Sequence, residues 1–179
     1  MYKVSDIKIT ADKERRNYML NKLHYEMIKL YNGDAKRIQH FCKVHSYAKL
    51  IAEMENVDEH TLFIIEAAAL THDIGIHLCE EKYGNCGGKL QEKEGPALAE
   101  KMLTKLGFAK DVTERVMYLI AHHHTYDDIN EIDYQILVEA DFLVNMYEDG
   151  LSKDAVEHAY KKIFKTDSGM KICAEMFGI

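Results

Sequence analysis

The chain has 179 residues, 47% hydrophobic and 30% charged, a formal net charge of −7 and a single proline. A domain of this length buries roughly 70% of its unfolded surface, so it builds a core without staples, and the composition excludes wholesale disorder. The acidic balance argues against nucleic-acid binding as the main task, since phosphate neutralisation needs a Lys/Arg excess on some face.

One proline, and glycines lying mostly between periodic segments, speak against a many-turned β fold and for an all-helical one. No run of about 18 apolar residues suggests a membrane span. Met1–Thr10 lacks the apolar core of a signal peptide. The four cysteines, Cys42, Cys79, Cys86 and Cys173, form no C-x-x-C pair. Cys79 and Cys86 could bridge a loop, but thiols in an untargeted chain are more often reduced, and the expected location is cytoplasmic.

In chain order, helical periodicity predicts a first helix over 11–30, with Tyr18, Leu20, Leu23, Met27 and Leu30 near one stripe and Gly33 stopping it. Asp34 is a candidate N-cap for a second helix to about Met54. A third starts after Asp58, runs through the dense apolar stretch Leu62–Leu70 and ends near Gly75. Ile76–Leu90, holding Gly84, Gly87 and Gly88, reads as one long irregular segment, of the kind that is usually functional or disordered. Gly95-Pro96 is expected to open a fourth helix, proline being preorganised for the first position, and Gly107 closes it. A fifth covers about Lys110–His124 and a sixth Tyr134–Tyr147. Ser152 caps a seventh, and a last short helix follows Asp167. No repeat or linker divides the chain, so one domain over 1–179 is expected. Its core motifs lie in 34–147, with helix 11–30 and the helices of 152–177 packed on it.

Four ionisable residues fall where a core is expected. His40 precedes the apolar stripe Val44, Tyr47, Ala48 and Ile51 at helical spacing. His72 and Asp73 end the most apolar helix, following Ala68 and Ala69 by four residues each. Asp141 shares a face with Leu137 and Val144. A buried carboxylate without a partner costs several kcal/mol even after relaxation. Two such aspartates and two histidines have one common solution, a divalent metal whose imidazole and carboxylate ligands suit Mn, Fe, Co, Ni or Zn. Taken singly, each has a plainer reading: a hydrogen-bonded core histidine, or an aspartate acting as a cap or arginine partner.

Arg37-x-x-His40, Leu70-Thr71-His72-Asp73-Ile74-Gly75 and Glu139-Ala140-Asp141, in that order, resemble the HD-domain metal-dependent phosphohydrolases. The resemblance covers roughly residues 34–147. It implies an all-α bundle with the metal deep in a central helical cleft, held by His40, His72, Asp73 and Asp141. Many relatives carry two further histidines and bind two ions. The first such place is taken here by Glu94, either a ligand or merely a complement to a helix N-terminus. The second falls in His122-His123-His124. His123 continues the stripe Val112, Val116, Ile120 and is the favoured ligand; His122 is the reserve, and His124 reads as exposed or substrate-facing. Many relatives have Lys where this chain has Ile76, so a basic phosphate contact must come from elsewhere, with Arg37, Lys82 and Lys89 as candidates and the Gly-rich segment 84–88 as a lid.

The resemblance therefore implies hydrolysis of a small phosphate ester, nucleotide-like, by water activated at one or two divalent ions, with Asp73 as ligand and orienter of that water. A di-iron HD-type oxygenase and a non-catalytic, metal-stabilised regulatory module are the alternatives. The chain lacks the Gly-Tyr-Pro signature of the cyclic-dinucleotide subgroup after its histidine run.

Overall fold

The most apolar segment of the sequence becomes the central element of the fold. In this computed structural model, which describes residues 4–179 and their side chains from residue 11 onward, every residue from Phe63 to Thr71 is buried. The expectation drawn from Met1–Thr10 lies outside the residues described to side-chain level. Among the described residues there are nine α-helices and no strand: α1 (Val4–Leu30), α2 (Ala35–Met54), α3 (Glu59–Thr71), α4 (Ile76–Tyr83), α5 (Gly88–Leu106), α6 (Lys110–Ile120), α7 (Ile132–Glu148), α8 (Lys153–Ile163) and α9 (Asp167–Phe177). The all-α architecture is the one expected.

α1, α2, α6 and α7 pack around α3, and α8 and α9 close the far side against α7 and α2. Only small residues allow so many neighbours to approach one helix: Ala67, Ala68 and Ala69 are fully buried, flanked by Ile65 and Leu70. Burying a Leu or Ile side chain stabilises by about 1.5–3 kcal/mol, so this face drives assembly of the bundle. A larger side chain at Ala68 would overpack it, at about 1–3 kcal/mol. The stretch Glu59–Tyr83 contains a window apolar enough to cross a membrane, contrary to the reading from composition; 72% of that window is buried inside the fold.

Side-chain caps fix the register of the helices that carry the site. The Asp34 carboxylate accepts from Arg37 N at 3.1 Å, and Asp58 accepts from His60 N and Thr61 N at 2.9 and 3.1 Å.

Of the boundaries that depart from the sequence reading, three shape the surroundings of the turn after α3. α3 ends at Thr71, so His72–Gly75 form a turn rather than its last residues. The segment expected to be irregular over 76–90 contains α4, whose buried face is Ile76 and Cys79 at i, i+3, closed by Gly84 in the left-handed conformation at φ 72°. α5 starts at Gly88, seven residues early, and Pro96 lies inside it. The missing N–H and the ring clash ordinarily disfavour an interior proline. Here the turn before it is held from outside. Gln91 and Glu92 bond to the segment after α6, and Gly95 packs backbone-to-backbone on Gly75. A Cβ at Gly75 would sit 3.0 Å from Gly95 N. That close approach seats α5 on the turn carrying His72 and Asp73.

Candidate metal centre

Two helices and two turns deliver side chains to one point in the core. His40 comes from the second turn of α2, His72 and Asp73 from the turn after α3, Asp141 from the middle of α7, and His123 and His124 from the turn after α6. His40 Nε2 lies 3.3 Å from His72 Nε2, 3.2 Å from Asp141 Oδ1 and 3.5 Å from Asp73 Oδ2. His72 Nε2 lies 3.4 Å from Asp73 Oδ2 and 3.5 Å from Asp141 Oδ1. On the other side of Asp73, His123 Nε2 approaches Oδ1 at 3.7 Å. Two groups with ligand atoms within 4.8 Å of one another thus share Asp73: His40, His72 and Asp73, and Asp73, His123 and His124.

The back of each buried ring is anchored. Nδ1 of His72 is 2.9 Å from the Ala69 carbonyl, Nδ1 of His123 is 2.8 Å from the Ile120 carbonyl, and Nδ1 of His40 is 3.0 Å from Glu148 Oε2. A carbonyl can only accept, so Nδ1 of His72 and His123 donates, and Nε2 of each is left facing the carboxylates, free to ligate an ion once it gives up any proton it carries. That is the tautomer of a metal-bound histidine held from its outer side. Among the described residues, the buried side-chain nitrogen without a hydrogen-bond partner is His123 Nε2. An orphaned buried acceptor aimed at a carboxylate fits a cation between them.

The electrostatics carry the same demand for positive charge. Burial opposes ionisation of Asp73, yet His72 and His123 hold it down to about 2. Asp141 is likewise held far below the ordinary carboxylate range, against its burial, by His40 and His72. The reciprocal effect pushes His72 up to about 9, the Asp73 charge overcoming burial, and raises His40. The imidazoles thus supply as protons the charge that a divalent ion would supply. Burial and the neighbouring His123 push His124 down to about 4, so it is neutral and able to ligate at neutral pH. The donor set, nitrogen and carboxylate oxygen without thiolate, fits a borderline transition metal.

Not every anticipated residue joins this centre. Glu94 accepts from Tyr83 Oη at 2.6 Å and from Lys82 at 3.0 Å. Because α5 begins at Gly88, Glu94 lies in its second turn, on the face toward α4. The nearby acid on the site's side is Glu92, which accepts from His124 N at 3.1 Å and Thr125 Oγ1 at 2.9 Å, pinning the turn that carries the histidines. His122 stacks on Tyr118 with centroids 4.2 Å apart and donates Nδ1–H to the Tyr118 carbonyl, away from the cluster. His124, read from the sequence as exposed or substrate-facing, is half-buried and joins Asp73 and His123, the place held in reserve for His122: α6 stops at Ile120, and in the following turn successive side chains no longer advance by 100°.

A cleft of about 480 Å³ opens over the cluster, and Lys36, Arg37, Gln91, Asn145 and Glu148 are among its lining residues. Arg37 is tied to Asp34 at 2.6 Å and Glu80 at 2.5 Å on the cleft's edge. Lys89 is bound to Glu92 and Thr125 and does not line the cleft. Lys36, passed over in the sequence, does; its place one residue from Arg37 in the first turn of the His40 helix was the available signal. Cys86 also faces the cleft, but burial and its contact with Cys79 push its thiol up to about 12, so it is no thiolate nucleophile. All four cysteines are free thiols.

Comparison with known proteins bears on this arrangement. No curated protein matches the chain. A predicted HD superfamily hydrolase from an uncultured Thermotogales bacterium superposes with a TM-score of 0.61 at 26% identity, over 90% of this chain and 84% of its own. YpgQ of Bacillus subtilis superposes with a TM-score of 0.62 at 19% identity, over 91% and 88%, a likeness of fold. The HD domain family model matches residues 37–163, a span that takes in both clusters, and with that match the chain belongs to the HD domain family.

Proposed function

We propose that this HD-domain protein is a metal-dependent hydrolase that cleaves a phosphate ester of a small, nucleotide-like molecule. The observation that carries the reading is the convergence of back-anchored imidazoles on the carboxylates of Asp73 and Asp141 at the floor of an open cleft. The likeness to a predicted HD superfamily hydrolase supports hydrolysis. Lys36 and Arg37 are cationic residues on the cleft wall suited to a phosphoryl group.

In this reading His40, His72, Asp73 and Asp141 hold one ion, and Asp73, His123 and His124 hold a second. A bound divalent ion supplies Lewis acidity, making a water molecule more acidic and offsetting phosphoryl charge. Asp73 faces both groups with its two oxygens, so it orients the attacking water. Lys36 and Arg37 hold the phosphoryl oxygens, and Gln91 steadies His124 through a 3.2 Å contact with Nε2. The water oxygen bonds to phosphorus as the P–O ester bond breaks, the proton that the water gives up passes to the leaving ester oxygen, and phosphate is released. A cleft of this size suits one mononucleotide-sized ligand.

The test is release of phosphate or pyrophosphate from a panel of phosphoesters by protein loaded with Mn²⁺, Co²⁺, Ni²⁺, Zn²⁺ or Fe²⁺. Turnover is expected to require the metal, and Asp73→Ala is expected to lose both tight metal binding and activity. Full activity in Asp73→Ala would overturn the mechanism. Turnover that needs O₂ and releases no phosphate would replace it with the oxygenase reading.

A further inference from the structure

The three rings of the cluster that are held from behind do not share one kind of support. His72 and His123 donate to backbone carbonyls, which no side-chain substitution removes. His40 alone rests on a side chain, the carboxylate of Glu148. Glu148 is the last residue of α7 and lies seven positions, two helical turns, after Asp141, on the same face. Asn145, between them at i+4, donates to Asp141 Oδ1 at 2.9 Å. One stripe of α7 therefore carries a ligand and two polar residues that hold ligands.

The Glu148 carboxylate has both oxygens engaged. Oε2 meets His40 Nδ1 at 3.0 Å, and Oε1 meets Lys43 Nζ at 2.6 Å. Lys43 lies one turn beyond His40 on α2. The carboxylate is thereby clamped between the two helices instead of swinging into the cleft that it borders. An ionised acceptor forms a stronger hydrogen bond than a carbonyl and makes the opposite ring nitrogen a better donor to a cation.

We propose that Glu148, clamped by Lys43, is a positioning residue. It fixes His40 as the Nδ1–H tautomer with Nε2 toward the ion, so that α7 supplies both Asp141 and the support for a ligand on α2. This rests on the metal-hydrolase reading and assigns a residue that the sequence motifs leave out.

The experiment measures Zn²⁺ affinity of the full chain by competition with a chromogenic chelator, alongside circular dichroism. It also records the imidazole ¹⁵N spectrum of Zn²⁺-loaded protein. Glu148→Ala is expected to weaken Zn²⁺ binding by about 10–100-fold. Glu148→Gln, whose carbonyl still accepts the Nδ1 proton without the charge, is expected to lose only about 3–10-fold. The His40 Nδ1–H resonance should be sharp and slow to exchange with water in wild type and Glu148→Gln, and broadened by fast exchange in Glu148→Ala while the other imidazole resonances stay put, a signature that general destabilisation does not produce. Unchanged affinity in whichever variant folds would overturn the assignment while leaving the metal reading intact. Failure of the wild-type chain to bind Zn²⁺ would overturn both.

Discussion

The hydroxyl of Tyr31, in the turn between α1 and α2, donates a 2.6 Å hydrogen bond to the backbone carbonyl of Asp73. Tyr31 is buried, and its ring packs on His77 with centroids 4.4 Å apart. The turn that presents Asp73 is thus braced from below by a residue remote in sequence. The same carbonyl also accepts from Ile76 N at 3.0 Å, so it keeps a partner when the hydroxyl is removed. Tyr31→Phe is expected to cost about 1 kcal/mol, the ordinary value of one internal hydrogen bond. In a domain of this length that lowers Tm by about 2–4 °C, checked by thermal denaturation. A loss above about 3 kcal/mol would mean that the hydroxyl holds more than this one contact.

The three consecutive histidines should separate sharply on substitution. His123 Nε2 faces Asp73, whereas His122 stacks on Tyr118 outside the cluster. Adding Zn²⁺ at about 100 times its Kd should stabilise the wild-type chain by about 2.7 kcal/mol, and a chelator should reverse the gain. His122→Ala is expected to retain that metal-induced rise in Tm, and His123→Ala to lose part of it. The reverse order would move the second ligand from His123 to His122.

The four inner residues of the centre were legible because helical periodicity brought them into conflict with an apolar stripe. His40, His72, Asp73 and Asp141 each sit where a core side chain belongs, and the centre gathers all four. Periodicity misled where the helix it assumed was absent. His124 comes to Asp73 and His122 turns away because α6 ends at Ile120, and no alternation in the sequence marks that end. Glu94 was singled out because the family resemblance puts a further ligand at that place, just before the helix expected to open at Gly95-Pro96; with the helix starting at Gly88, Glu92 faces the site and Glu94 faces α4. α4 was hidden by its length, since eight residues give two turns and one buried pair. Glu148 was within reach, at i+7 from Asp141, but a glutamate at the end of a helix followed by Asp149 and Gly150 looks like a solvated terminus.

Close backbone approach makes a second class of prediction. Gly75 faces Gly95, and an added Cβ would meet Gly95 N at 3.0 Å and Gly95 Cα at 3.2 Å. These are backbone atoms of a helix interior and cannot swing aside as a side chain would. Gly75→Ala is expected to force α5 off the turn carrying His72 and Asp73, at about 1–3 kcal/mol, the usual cost of overpacking. Zn²⁺ affinity should fall with it, because the displaced turn carries two of the proposed ligands, His72 and Asp73. Wild-type stability and affinity in this variant would show that α5 can shift without disturbing the centre.

The pH dependence of folding has a separable contribution from Glu66, buried in α3 away from the metal cluster. Its Oε1 lies 3.1 Å from His45 Nε2 and 2.9 Å from Lys49 Nζ, joining α3 to α2. Burial opposes its charge, but the hydrogen bonds from His45 and Lys49 hold its carboxyl below the ordinary value of 4.5. A carboxyl whose folded pKa is depressed contributes stability that is present above the unfolded pKa and is lost as pH falls through the folded one. Glu66→Gln is therefore expected to be less stable than wild type at pH 7 by about 1–2 kcal/mol. The gap should shrink as pH falls below 4.5, where the wild-type carboxyl also becomes neutral. Thermal melts of both proteins across pH 3–7 in chelator measure the difference directly, and the acid responses of Asp73 and Asp141, common to both proteins, largely cancel. A gap that stays constant with pH would assign the stabilisation to shape rather than to the charge on Glu66.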